Sequence, residues 1–249
     1  APKNPRDINS FIAKHLDSAK ACCRALALLF IRGLLPSSNT ASLEEFLAKF
    51  GDVLVAYLED SSEMIVSVTL NFIKIILQMC IPSSNFEMMY RFLSHVFNLV
   101  TSSMEDVAES ALEFITTLTT NSQYEIASVI QELFSLIQVV QSDTRVAIVK
   151  SIKDILSLSP DCYHLLPSIS CVIDNTLKCD YLPLQQEFIS LISTMIKEDK
   201  RPLQNTDMLF DFMKAAVDQL RCSDAVYGIV NLLRRTDGNM SKVLIYLIG

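Results

Sequence analysis

Apolar and polar positions alternate along this chain with the period of an α-helix, and they do so in pairs of segments. The pattern is clearest over residues 85–120. Phe86, Met89, Phe92, Leu93, Val96, Phe97 and Val100 keep one apolar stripe from Asn85 to Val100, and Thr101, Ser102 and Ser103 then break it. Ser103 opens a second predicted helix over 104–118 with Val107, Ala108, Ala111, Leu112, Ile115 and Leu118 on one face. Glu105 and Asp106 fall in its first turn, where the helix dipole favours anions. The pair predicts an antiparallel helical hairpin.

The same grammar recurs. Segments led by serine or aspartate start at Ser18, Ser61, Ser103, Ser142, Asp180 and Ser223, at intervals of 43, 42, 39, 38 and 43 residues. A capping box, in which a serine and a glutamate three residues on satisfy each other's backbone amides, precedes two of the first helices: Ser42 with Glu45, and Ser122 with Glu125. Leu70, Leu112 and Ile152 hold equivalent places 42 and 40 residues apart. A period near forty predicts an all-α fold, a right-handed α-solenoid of about six stacked helical hairpins, because such a unit cannot bury its apolar face alone. The repeats run roughly 6–35, 42–80, 85–120, 122–159, 162–199 and 203–237, followed by the start of a further helix, and they form one array over 1–249. Pro167 is expected to shorten or kink the first helix of the fifth pair.

Composition supports helices: five glycines in 249 residues leave few positions for the positive-φ turns of a β-rich fold. The net charge of −7 divides as −4 over 1–124 and −3 over 125–249, which argues against a phosphate-binding footprint and direct contact with nucleic acid. The longest segments free of Asp, Glu, Lys and Arg are 75–86 and 92–104, too short to span a membrane. Seven cysteines without a C-x-x-C or a histidine at zinc spacing are expected to be buried thiols, Cys22 and Cys23 among them, in a reducing compartment, cytoplasm or nucleus. The apolar run 243–248 is expected to continue into a larger chain or complex.

The second helices carry a resemblance. Asp143-Thr-Arg145-Val-Ala-Ile-Val-Lys150-Ser-Ile152 is similar to the aspartate, arginine and small-apolar pattern of HEAT repeats, and Val107-Ala-Glu-Ser-Ala111-Leu112 is close to it. The chain therefore resembles the HEAT/armadillo superfamily of α-solenoids over essentially its whole length. Six pairs also match the size of a TOG-type tubulin-binding domain, and the repeat is shared with longer nuclear-transport and chromosome-associated HEAT proteins. The TOG resemblance would imply tryptophan and basic residues on the turns within hairpins. Here those turns carry Asp60, Glu63, Glu105, Asp106, Asp143, Asp180 and Asp224.

No phosphate loop, nucleophile elbow or metal-ligand spacing occurs, and His15, His95 and His164 are far apart along the array. The expectation is a non-enzymatic scaffold, with no cofactor and no metal, that binds a partner protein or peptide with a basic segment. Two surfaces are candidates for it. The turn ridge comprises Asp60, Glu63, Glu105, Asp106, Asp143, Asp180 and Asp224, acids that also cap helices, with Arg145 beside Asp143. The concave face of the second helices offers Ser67, Asn71, Lys74, Gln78, Glu109, Glu113, Lys150, Lys153, Asn231 and Arg234. Met88 and Phe210 are the apolar residues expected to be exposed.

Overall fold

The computed structural model describes residues 5–34, 40–80, 87–122, 126–158, 181–198 and 206–235, together with 17–20, 59–62, 91–92, 100–104, 137–141 and 221–222 that join helices within those spans. The fifth pair's first helix with Pro167, His164, Asp180, the stop at 237–238 and the apolar run 243–248 lie outside the described residues. Every described element is a helix. They are α1 (Pro5–Leu16), α2 (Ala21–Leu34), α3 (Thr40–Leu58), α4 (Glu63–Cys80), α5 (Glu87–Tyr90), α6 (Leu93–Leu99) and α7 (Glu105–Ser122), then α8 (Ile126–Leu136), α9 (Ser142–Leu158), α10 (Leu182–Glu198), α11 (Thr206–Leu220) and α12 (Ser223–Arg235). The chain forms two compact units, Ala1–Ser122 and Gln123–Gly249.

In the first unit, α1 packs on α2, α3 on α4, and α6 on α7. The second helices of these pairs also pack on one another, α2 on α4 and α4 on α7. The sequence explains this close stacking by a motif 42 residues apart in all three: Ala27-Leu28-Leu29-Phe30-Ile31, Thr69-Leu70-Asn71-Phe72-Ile73 and Ala111-Leu112-Glu113-Phe114-Ile115. The first, second and fifth positions are buried in each copy. The small first residue lets neighbouring helices approach, and burial of each Leu and Ile contributes roughly 1.5–3 kcal/mol. The third position faces outward in all three, as Leu29, Asn71 and Glu113.

Phenylalanine at the fourth position is where the copies part. Phe72 and Phe114 are fully buried, and Phe72 meets Phe46 of α3 edge-on, with ring centroids 5.8 Å apart. Phe30 keeps 43% of its surface exposed.

The third pair departs from the expected continuous first helix. Arg91 and Phe92 form a turn between α5 and α6, in which the Phe92 amide bonds the Met89 carbonyl three residues back at 3.1 Å, so the helix tightens and restarts. Arg91 thereby lies across Gly51 of α3 and pairs with Asp52; a Cβ on Gly51 would stand 2.5 Å from the guanidinium. Ser122, expected to cap α8, instead ends α7: its hydroxyl donates to the Leu118 carbonyl at 2.6 Å and accepts from the Tyr90 hydroxyl.

In the second unit α8 packs on α9, α11 on α12, and α9, α10 and α12 make consecutive contacts. Ile152 is fully buried, like Leu70 and Leu112. Two residues, Arg221 and Cys222, join α11 to α12, and the turn is made by Arg221 at φ 48°. This left-handed residue ends α11 in the position that glycine usually fills. Gly228 allows α12 to approach α11 closely, for a Cβ there would meet Met213 Sδ at 2.9 Å.

Candidate functional site

The expected partner-binding residues divide between the units. Asp60, Glu63, Asn71, Lys74, Glu105, Asp106, Glu109 and Glu113 lie in the first, and Asp143, Arg145, Lys150 and Asn231 in the second. Many of them are committed to joining one repeat to the next. Asp60 Oδ2 takes a 2.6 Å bond from Arg24 of α2 while its Oδ1 accepts the Ser62 amide at 2.8 Å, capping the entry to α4. Arg24 also donates to the Ser18 and Ala19 carbonyls at 2.9 and 3.3 Å and lies over the Tyr57 ring. Tyr57 completes this lock by donating its hydroxyl to the Leu16 carbonyl. Burial pushes the Tyr57 hydroxyl pKa up to about 12; Arg24 opposes the rise, and Asp17 and Asp60 add to it.

Further ties follow the same spacing. Glu59 lies 2.8 Å from His95 Nδ1, Lys74 of α4 pairs with Glu113 of α7, and Asp52 of α3 takes Arg91. In the second unit Lys153 reaches Glu187 at 3.2 Å and Ser190 at 3.4 Å, with Lys150 at 3.9 Å from Glu187. Tyr181 donates to Asp143, and this bond raises the Tyr181 pKa above its ordinary value. Arg235 donates to the Ile196 carbonyl at 2.7 Å, and Arg145 to the Val140 carbonyl at 2.9 Å, which fastens the turn between α8 and α9. Except for the Arg145 bond, these partners stand 34–39 residues apart, so the sequence period reappears as a ladder of polar links.

What remains uncommitted is narrower than the expected ridge. Glu63 opens α4, and Glu105 opens α7 at the equivalent place 42 residues on; Asp106 and Glu109 follow it. All four are exposed and make no ion pair among the described residues. Asn71 is exposed on the same helix row, whereas Asn231 is half-buried. Phe210 is half-buried, and Met88 lies outside the described side chains. Cys22, expected inside, is exposed at the start of α2, and Cys23 and Cys222 are half-buried; the first turn of α2 turns Cys22 away from α1 and α4.

An open groove of about 340 Å³ in the second unit is lined by Gln186, Glu187, Ser190, Arg221, Cys222 and Asp224. Of its charged members, Glu187 already serves the polar links between α9 and α10. Among the described residues no cluster of His, Cys, Asp or Glu could hold a metal ion, and no helix is long and apolar enough to cross a membrane.

The charge is concentrated unevenly along the chain: residues 1–34 hold six basic and two acidic side chains, a net +4, while 35–249 hold fifteen and twenty-six, a net −11.

No family model matches the sequence, and no curated protein matches it. Among solved structures, the chain is similar to the crystal structure of an engineered protein, with a TM-score of 0.56 and 12% identity over 91% of this chain and 96% of that one. At that identity the likeness concerns the fold alone.

Proposed function

We propose that the chain is a non-enzymatic protein-interaction scaffold of the cytoplasm or nucleus, a right-handed α-solenoid of about six HEAT-like hairpins that receives a basic segment of a partner protein. The observation that carries this reading is the row of uncommitted carboxylates, Glu63, Glu105, Asp106 and Glu109, at the starts of two helices that pack side by side. Other acids nearby are consumed by the links between repeats, so these four are the ones offered outward. Exposed carboxylates on a rigid row steer a cationic partner and fix its register. The resemblance of the second helices to HEAT repeats supports the same assignment.

The test is fluorescence anisotropy with a synthetic Lys/Arg-rich peptide. Replacing the four acids by their amides removes charge from the first turns, at about 0.3–1 kcal/mol each at most, so the chain stays folded. Binding is expected to weaken by at least about tenfold, a loss on the order of 1.4 kcal/mol. Equal binding by the wild type and the amide variant would remove the reading.

A further inference from the structure

Helix α2 is apolar on the side turned away from its neighbours. Cys22, Leu26, Leu29 and Gly33 are exposed at spacings of 4, 3 and 4, the a/d seam of a helix–helix contact, and Phe30 lies beside Leu26 one turn on. Leu26, Leu29 and Phe30 are 64, 46 and 43% exposed. A helix that is apolar all round is normally covered on all sides. At the equivalent places α7 carries Asp106, Ser110, Glu113 and Thr117, while α4 carries Met64, Val68, Asn71 and Ile75 with Val68 and Ile75 half-buried, so α2 is the one of the three whose large apolar residues stand exposed as a stripe.

Two observations select the occupant. The surface left by the three large residues is on the order of 300 Å², well below the roughly 800 Å² per partner that holds two folded copies together, but enough for three turns of a single helix. The hairpin that bears the stripe is also the basic part of an acidic chain, with Lys14, Lys20 and Arg32 exposed and, among the described side chains there, one exposed acid, Asp17. At the end of the seam, Gly33 has no heavy atom within 4 Å of where a Cβ would stand, which leaves room for another backbone.

We infer that the outward face of α2 is a docking site for an acidic amphipathic helix of a partner protein, seated on Leu26 and Leu29 and held in register by Arg32. This surface is separate from the carboxylate row on α4 and α7, and it takes a partner of the opposite charge.

The experiment uses the full chain and a synthetic amphipathic peptide of about three heptads, with leucine at a and d and glutamate beside them. Its lysine counterpart and vesicles rich in phosphatidylserine serve as competing probes. The glutamate peptide is expected to bind, more weakly as salt rises, and the lysine peptide to bind at least about tenfold less well. The Leu26→Ser/Leu29→Ser variant should lose about tenfold or more while its circular dichroism is unchanged. Arg32→Glu, which leaves the apolar seam intact, should lose several-fold. The amide variant of Glu63, Glu105, Asp106 and Glu109 should keep glutamate-peptide binding, so the two surfaces fail separately. The inference is overturned if both peptides bind alike, if neither variant weakens binding, if only vesicles bind, or if sedimentation shows self-association through Leu26 and Leu29 that excludes the peptide.

Discussion

Helices α2 and α7 share an inner face and differ on the outer one. Ala27, Leu28 and Ile31 are matched by Ala111, Leu112 and Ile115, all buried, while the outward Leu29 is matched by Glu113. The comparison teaches that stacking constrains only the inner positions, so each repeat can offer its own chemistry outward without disturbing its neighbours. It also isolates Phe30 and Phe114, the same residue at the same register in unlike surroundings.

That phenylalanine pair gives the sharpest way to break the comparison. Phe114→Ala empties a fully buried site and should cost about 3–5 kcal/mol, whereas Phe30→Ala, already partly in water, should cost about 1 kcal/mol. Urea midpoints at a constant slope measure both; equal losses would mean that the shared register does not set the energetics. Next in size is the lock that ties the second pair to the first. Because the folded pKa of Tyr57 is raised from 10.0 to about 12, the unfolded chain ionises first. The contribution is fully present below pH 10 and fades as the pH rises to about 12, by roughly 2–3 kcal/mol in all. Urea titrations across that range should show the slope in the wild type and a flatter curve in Tyr57→Phe.

The smallest effects fall on the outer faces. Gly33→Ala meets no atom within 4 Å and relieves a helix of its glycine, so the melting temperature should rise, by the equivalent of about 0.5–1 kcal/mol. Glu113→Gln loosens an exposed pair with Lys74 and should cost no more than about 0.5 kcal/mol by the same melts.

Much of the helical layout was legible in the sequence, because apolar spacing and first-turn acids are local signals. The expected starts at Ser142 and Ser223 coincide with those of α9 and α12, and Ser61 and Ser103 stand two residues ahead of α4 and α7. The turn at Arg91 and Phe92 was not legible, since neither residue is a helix breaker and the Gly51 that Arg91 lies across is 40 residues away in sequence. The candidate site was legible in residue type but not in availability. Asp60 and Glu113 read as free acids until their partners, 36 and 39 residues away, are brought alongside by stacking. The exposed stripe of α2 was hidden for the opposite reason: in sequence, Leu26, Leu29 and Phe30 look like more core.

Among the described residues of the first unit, the polar links join neighbouring hairpins: Arg24 to Asp60, then Glu59 to His95 and Lys74 to Glu113. Such an arrangement behaves as a row of joints rather than a single clasp. Under tension the first unit would give way one joint at a time, and the joint tied by the most deeply seated pair, between the first and second hairpins, would be the last to part.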